Sequence, residues 1–278
     1  MGSCPLRPEP PKLACYATGP AFEVKPGKVQ PIPLPPRKES KAAILYKVGG
    51  LSAPSKMPGY GYSLPCDACV IGSLLAKKPG SVCEGCYANR GNYRFPNVQA
   101  CLFDRLACVA QPEWASNMVA AINAVYPDDS ESHYFRWHDS GDLQSAQHLA
   151  SIVEVCKRTP HVKHWLPTKE RGFLARYLRE SRESFPSNLC VRYSSHYINQ
   201  SAPGWLTVDK RTRWDGHYSW VYDPTTINPL CLEDVESGAW GHLCQPTFDG
   251  KHGTGCDTYG CRECWNKETR VVVYKRHA

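Results

Sequence analysis

Apolar positions recur first at helical and then at strand spacing through the middle of the chain. After Pro96, a residue suited to a first helical turn, NVQACLFDRLACVAQ places Val98, Leu102, Leu106 and Val109 on one face. PEWASNMVAAINAV predicts a second helix from Pro112. The pattern then changes. HYFRWH (133–138) reads as a strand, SAQHLASIVEVCKR as a helix opened by Ser145, and VKHWLPT as a strand. RGFLARYLRESRES follows as a helix, NLCVRYS as a strand, and HYSWVY (217–222) as one strand more.

Strands alternating with helices at these lengths form βαβ units, which impose a parallel sheet with right-handed crossovers. Too few units occur for an eightfold repeat. The expected fold is α/β, a partial (incomplete) TIM-like barrel with cysteine-rich, metal-bound loops at both ends. Ahead of it, ten of the 24 prolines fall in the first 40 residues, peaking in QPIPLPPRKES. Such a stretch forms neither a helix nor a central strand, so residues 1–40 are expected to be an extended arm. Residues 41–96 are crowded with Gly, Pro and Cys, which predicts loops ordered by metal rather than by a core. Residues 41–278 then make a single α/β domain with metal-binding segments at 60–95 and 244–265.

Composition narrows the class without naming a function. With 42% hydrophobic and 21% charged residues, the chain reads as soluble and globular. No apolar run approaches the roughly 20 residues of a membrane-spanning helix, so no membrane partner is expected. The first residues lack the basic start and apolar stretch of a secretory signal, which points to the cytoplasm, or the host cytoplasm for a phage protein. A formal net charge of +7 permits a nucleic-acid partner without demanding one. The densest basic spots are KRTRW (210–214) and YKRHA (274–278).

In a reducing compartment, 15 cysteines point to metal rather than to a disulfide framework. Cys4, Cys15, Cys101, Cys108, Cys156, Cys190 and Cys231 stand singly and read as small buried hydrophobes. The rest form two groups. Cys66, Cys69, Cys83 and Cys86 are two C-x2-C pairs thirteen residues apart, able to offer four thiolates to one tetrahedral zinc or to an iron–sulfur cluster. Cys244, Cys256, Cys261 and Cys264 end in C-x4-C-x2-C, a spacing that suits iron–sulfur ligation and, almost as well, a structural zinc knuckle. His252 lies inside the second loop and reads as solvated, although it could replace a thiolate.

In a parallel sheet, ligands collect at the carboxyl ends of the strands. The first strand leads into HDSGD, with His138 on the same face as Arg136 by alternation. Asp139 and Asp142 flank a Ser140–Gly141 turn small enough for backbone amides to approach a ligand. The two carboxylates could shuttle protons or bind hydroxyl and ammonium groups, or could cap the next helix. The second strand leads to Thr168, Lys169 and Glu170, with Lys169 suited to a phosphate or a carboxylate. The third offers Arg192, Ser194, Ser195 and His196. No Ser-His-Asp order, Gly-rich phosphate loop or HExxH occurs.

SKMPGYGYSLP, CEGCYANRGNY, FRWHDSGD, WLPTKE and CRECW together resemble a phage family of uncharacterised proteins called gene product 88, over roughly residues 49–275. That family implies no settled activity. More distantly, the chain is similar to radical S-adenosylmethionine enzymes, partial α/β barrels whose cluster is held by three cysteines with a fourth iron open to the cofactor. Cys86-Tyr87-Ala88 looks like the end of their motif, and HDSGD sits where those folds keep a Gly-rich turn for the cofactor's amino group. The compact C-x3-C-x2-C is absent, with Pro79 where its first cysteine would stand. Cys69, Cys83 and Cys86 would form a stretched version, which ligation by Cys66 would close. The resemblance implies an enzyme with one or two iron–sulfur clusters and S-adenosylmethionine, acting on a nucleobase, nucleotide or other small substrate. Tyr87, Ser140, Gly141 and Arg192 would then meet the cofactor, and His138, Asp139, Asp142 and Lys169 would carry the chemistry. Two readings stand beside it. One is a non-enzymatic protein with zinc at either cysteine group, binding nucleic acid or a host partner. The other is a metal-dependent hydrolase or transglycosylase-like enzyme using Asp139 and Asp142.

Overall fold

The computed structural model describes residues 39–127, 133–200, 206–207, 213–214, 216–249 and 254–276. Nearly all of the proline-rich arm, His252 and most of KRTRW lie outside the described residues. Helix α1 (Lys41–Tyr46) is capped by Ser40, whose hydroxyl accepts from the Ala43 amide at 3.2 Å. Strand β1 (Tyr60–Tyr62) and helix α2 (Val70–Leu75) follow, the latter within the first cysteine group. Pro96 opens α3 (Pro96–Val109), where its fixed φ and missing N–H are harmless. Helix α4 (Trp114–Val125) begins two residues after the expected Pro112.

Then β2 (His133–Trp137), α5 (Ala146–Arg158), β3 (Val162–Thr168), α6 (Arg171–Ser181) and β4 (Leu189–Ser194) alternate as expected. Ser145 caps α5, its hydroxyl accepting from the His148 amide at 2.9 Å. A short antiparallel pair, β5 (Leu206–Thr207) with β6 (Arg213–Trp214), precedes β7 (His217–Tyr222). After these come α7 (Pro229–Glu236), β8 (His242–Leu243), α8 (Gln245–Asp249) and β9 (Val271–Lys275).

Seven strands form one sheet in the order β1-β2-β3-β4-β7-β9-β8, and every pairing in it is parallel. The fold is α/β, and the sheet is open, with β1 and β8 at its edges. Phe135, Trp137, Val162, Leu166, Leu189 and Val191 bury one face against Ile122 of α4, Leu149 and Ile152 of α5, and Leu174 of α6. On the other face Trp165 and Val272 pack with Cys244, Cys264 and Trp265. Thus the second cysteine group covers part of the face opposite these helices, around Trp165 and Val272.

Val48, Tyr62 and Leu64 are completely buried. This corrects the expectation that residues 41–96 lack a core: the Gly and Pro density conceals a three-residue edge strand. Its Tyr62 hydroxyl donates to the Val48 carbonyl at 2.8 Å and accepts from the Trp114 indole at 3.2 Å. Among the single cysteines, Cys156 and Cys190 are buried as expected, and Cys108 and Cys231 are half-buried. Cys101 departs from that pattern and is disulfide-bonded. No helix among the described residues is long and apolar enough to cross a membrane.

Candidate metal and ligand site at the strand ends

The loop after β1 and the turn after β2 are knitted together. Leu64 N donates to the Ser140 carbonyl, and the Ser140 hydroxyl donates to the Leu64 carbonyl, both at 2.8 Å. Gly141 has φ 78°, and a Cβ there would lie 2.6 Å from Leu64 Cβ and 2.8 Å from its carbonyl oxygen. Only glycine meets both demands. In this structure Ser140 and Gly141 anchor the stem of the first cysteine loop to the sheet.

Asp142 is buried and accepts three hydrogen bonds, from Leu143 N at 2.7 Å, the Thr168 hydroxyl at 2.7 Å and Lys169 N at 2.8 Å. Burial raises its pKa, and these donors pull it back. Thr168 Oγ1 also accepts from Glu170 N at 3.0 Å. Glu170 Oε1 in turn accepts from Val70 N at 3.1 Å and Ile71 N at 2.8 Å. Those amides open α2, whose N-cap is Cys69 and whose own side chain makes no capping bond. Glu170 therefore caps α2 from across the fold and ties Cys69 to the end of β3.

Four thiols gather over this network. Cys69 is in electrostatic reach of Cys66, Cys83, Cys86 and Asp142, and Cys83 of Cys86, Asp142, Glu170 and Lys169. Gly72 leaves them room. A Cβ there would stand 2.9 Å from Cys69 Cβ, 3.5 Å from Cys69 Sγ and 3.9 Å from Cys83 Sγ. Burial is the leading cause that pushes the Cys66, Cys69 and Cys83 thiols upward, so ligation there would release protons. Cys66 stands apart, since its thiol donates to Asn89 Oδ1 at 2.9 Å. The loop carrying Cys83 is pinned beyond β4, with Val82 N donating to the His196 carbonyl at 2.9 Å and Ile198 N to the Gly80 carbonyl at 3.0 Å.

The second group assembles on the opposite face of the sheet. Cys244 N donates to the Val273 carbonyl and Cys256 N to the Lys56 carbonyl, both at 2.8 Å. The thiols of Cys244, Cys256 and Cys261 are in mutual electrostatic reach, and Cys264 is in reach of Cys244 and Cys256. Two neighbours escaped the spacing argument: His242 Nε2 lies 3.5 Å from Cys261 Sγ, and the Tyr274 hydroxyl 3.2 Å from Cys264 Sγ. Among the described residues, no three His, Cys, Asp or Glu side chains stand close enough around one point to hold a metal ion. Both groups fit a thiophilic ion or cluster by donor chemistry, and the first also by the cradle over Gly72. Their thiols approach a common region without closing on it.

Arg192 belongs to the second group's scaffold. Its Nε donates to the Cys264 carbonyl at 3.0 Å and its Nη2 to those of Glu263 and Asn266 at 2.7 and 2.8 Å, while Nη1 reaches that of Arg270 at 3.3 Å. The side chain is wholly buried. In this structure the guanidinium is a clamp on the backbone of residues 263–270.

His138 also departs from the alternation argument. Its φ of 64° turns it off the face of Arg136, which lies over the Trp165 ring at 4.6 Å. His138 instead packs 5.3 Å from His148 of α5, with Nδ1 3.1 Å from the Tyr62 carbonyl. Burial lowers its pKa to about 4, so the ring is neutral at physiological pH. Asp139 pairs with Arg136 at 3.1 Å, while the Tyr93 hydroxyl donates to its carboxylate and the Tyr87 hydroxyl to its carbonyl. Asp139 and Asp142 thus keep separate partners. Lys169 meets no carboxylate in an ion pair among the described residues and lies within electrostatic reach of Cys83 and of the buried Asp142. A hollow of about 450 Å³ between α3 and the start of α5, lined by Leu106, Val109, Gln144 and His148, contains none of the thiols.

Glu170, Gly72, Asn89, Tyr93, His242 and Tyr274 are the contributors that motif spacing did not single out as site residues. Glu170 stands in LPTKE beside Lys169, yet its partners lie 99 and 100 residues away. A family model described as Gene product 88 matches residues 36–274 of the chain. No curated protein and no solved structure matches it.

Proposed function

From the premise that the chain belongs to the Gene product 88 family, we propose that it is an iron–sulfur enzyme of radical S-adenosylmethionine type, acting on a nucleobase, nucleotide or other small substrate. One observation carries this reading: the first thiol group sits in the loop after the edge strand β1 and is tied to the ends of β2 and β3. That is the end of a parallel sheet where ligands bind. An open parallel sheet of seven strands is also the form that a partial TIM-like barrel takes. Cys69, Cys83 and Cys86 would hold the cluster, and Cys66, donating to Asn89, would stay outside it.

When bound, a cluster with one open iron supplies a seat for S-adenosylmethionine and an electron for its cleavage. The chain's own residues position and enclose. Asp142 and Thr168 fix the turn after β2 against β3, Glu170 holds Cys69 in place, and Lys169 meets the substrate. Tyr87 braces the Asp139 carbonyl. The separate partners of Asp139 and Asp142 lend no support to a hydrolase using them as a pair. Zinc is favoured at the second group alone, because His242 adds an imidazole donor beside Cys261.

The test is metal and acid-labile sulfide content per chain in material prepared without oxygen. Iron, sulfide and broad visible absorption are expected, and Cys66→Ala should retain them. Zinc without sulfide at the first group would replace this reading with a zinc-stabilised, non-enzymatic binding protein.

A further inference from the structure

At the end of β3, beside the first thiol group, the carboxylates are held by hydrogen bonds, and two basic side chains make no ion pair among the described residues. Asp142 accepts from Leu143, Thr168 and Lys169, and Glu170 from Val70 and Ile71. Lys169 and Arg171 flank Glu170 at the end of β3 and make no ion pair among the described residues. His196, just past β4, lies against the Lys169 backbone: its Nε2 is 3.4 Å from the Lys169 carbonyl and 3.2 Å from the Tyr193 hydroxyl. Burial first, and then the charges of Lys169 and Arg171, hold its pKa below the usual value. The bonds between residues 80–82 and 196–198 bring Cys83 to the same place. Beside Arg171, Gly172 faces open space where a side chain would stand.

Two basic side chains without an ion pair among the described residues make a positive spot next to the thiols, Lys169 also lying within reach of the buried Asp142, and the neutral His196 ring adds a polar N–H beside them. A dianionic phosphate, with its acceptor oxygens, is the ligand that answers it. We infer that Lys169, Arg171 and His196 form the phosphate-binding end of the substrate site, which makes the substrate a small phosphate ester such as a nucleotide rather than a free base. The inference rests on the strand-end site proposed above and narrows its substrate class.

Titration calorimetry of the full chain with a nucleoside 5′-monophosphate, the matching nucleoside and inorganic phosphate tests it. The monophosphate should bind about tenfold tighter than either of the others, and Lys169→Gln and Arg171→Gln should each weaken it by about tenfold. Lys157→Gln, which removes a surface ammonium paired with Glu183, should change nothing. Arg171 is exposed, so its variant keeps the comparison free of folding effects. Equal affinity for nucleoside and monophosphate, or undiminished binding in the Lys169 and Arg171 variants, would overturn the assignment. So would inorganic phosphate binding as tightly as the ester, which marks a free-anion site. A single-stranded oligonucleotide bound more tightly than the monophosphate, with steep salt dependence, would replace the small ester by a polynucleotide. Metal and sulfide analysis of the same samples reads the cluster separately. Ester binding without iron removes the proposed chemistry alone, and iron without ester binding removes this inference alone.

Discussion

His138 and His164 show what enclosure does to an imidazole. Desolvation lowers the first to about 4 and the second to about 3, whereas an unfolded histidine titrates near ~6.5. Below that value the unfolded chain binds protons that the folded chain refuses. The stability these rings allow is therefore full above pH ~6.5 and lost as pH falls toward the folded values, by up to ~1.4 kcal/mol per pH unit for each. Denaturant midpoints should decline steadily from about pH 7 to about pH 4.5, and a flat profile would contradict the burial of both rings. Gly141→Ala should cost upwards of about 2 kcal/mol in chemical denaturation, because left-handed backbone and overlap with Leu64 both oppose a Cβ. At this scale the sequence was legible where one segment carries the whole signal. The paired cysteines announce themselves by spacing, and Ser145 does so as a cap. Arg192 does not, since its acceptors are backbone carbonyls more than 70 residues downstream. His138 misled because one positive φ ends the alternation that would have placed it beside Arg136.

Among elements, α3, α5, α6, β2, β3, β4 and β7 follow from periodicity and caps close to their observed bounds. Strand β1 is too short and too rich in glycine to give a period, and α2 owes its first turn to a carboxylate in another unit. Val271–Val273 carries the β-branched chemistry of a strand, but three apolar residues between a cysteine loop and a basic tail offer no alternation to identify one. The cap on α2 yields a prediction. Glu170→Ala frees two helix amides and should lower stability by about 1–2 kcal/mol, with less metal retained at the first cysteine group. Glu170→Gln keeps the accepting oxygen and should restore most of both. Equal metal loading in the two variants would show that α2 holds Cys69 without help from β3.

For the molecule as a whole, the α/β class and parallel sheet were legible, and the order of the strands was not. Pairing depends on which faces bury together, and the second cysteine group covers the sheet around Trp165 and Val272. Trp265 fastens that cover by donating to the Phe135 carbonyl at 3.0 Å, and Arg192 fastens it by its four carbonyls. Arg192→Ala should cost about 3–5 kcal/mol, since it strands buried carbonyls and opens a void. Thermal unfolding checks the cost, and the fluorescence of Trp165 and Trp265 should shift to the red in the native baseline of the variant.

Strand β9 lies between β7 and β8 and is the neighbour to which β8 is bonded among the described residues. A proteolytic nick or a premature stop near residue 270 would thus set Cys244 adrift from Cys264, although both precede the break. The β1–β4 half would lose none of its ladder, and a fragment shortened there should still gather its own four thiols. The two sulfur centres are in this sense separable, and the one farther along the chain is the hostage.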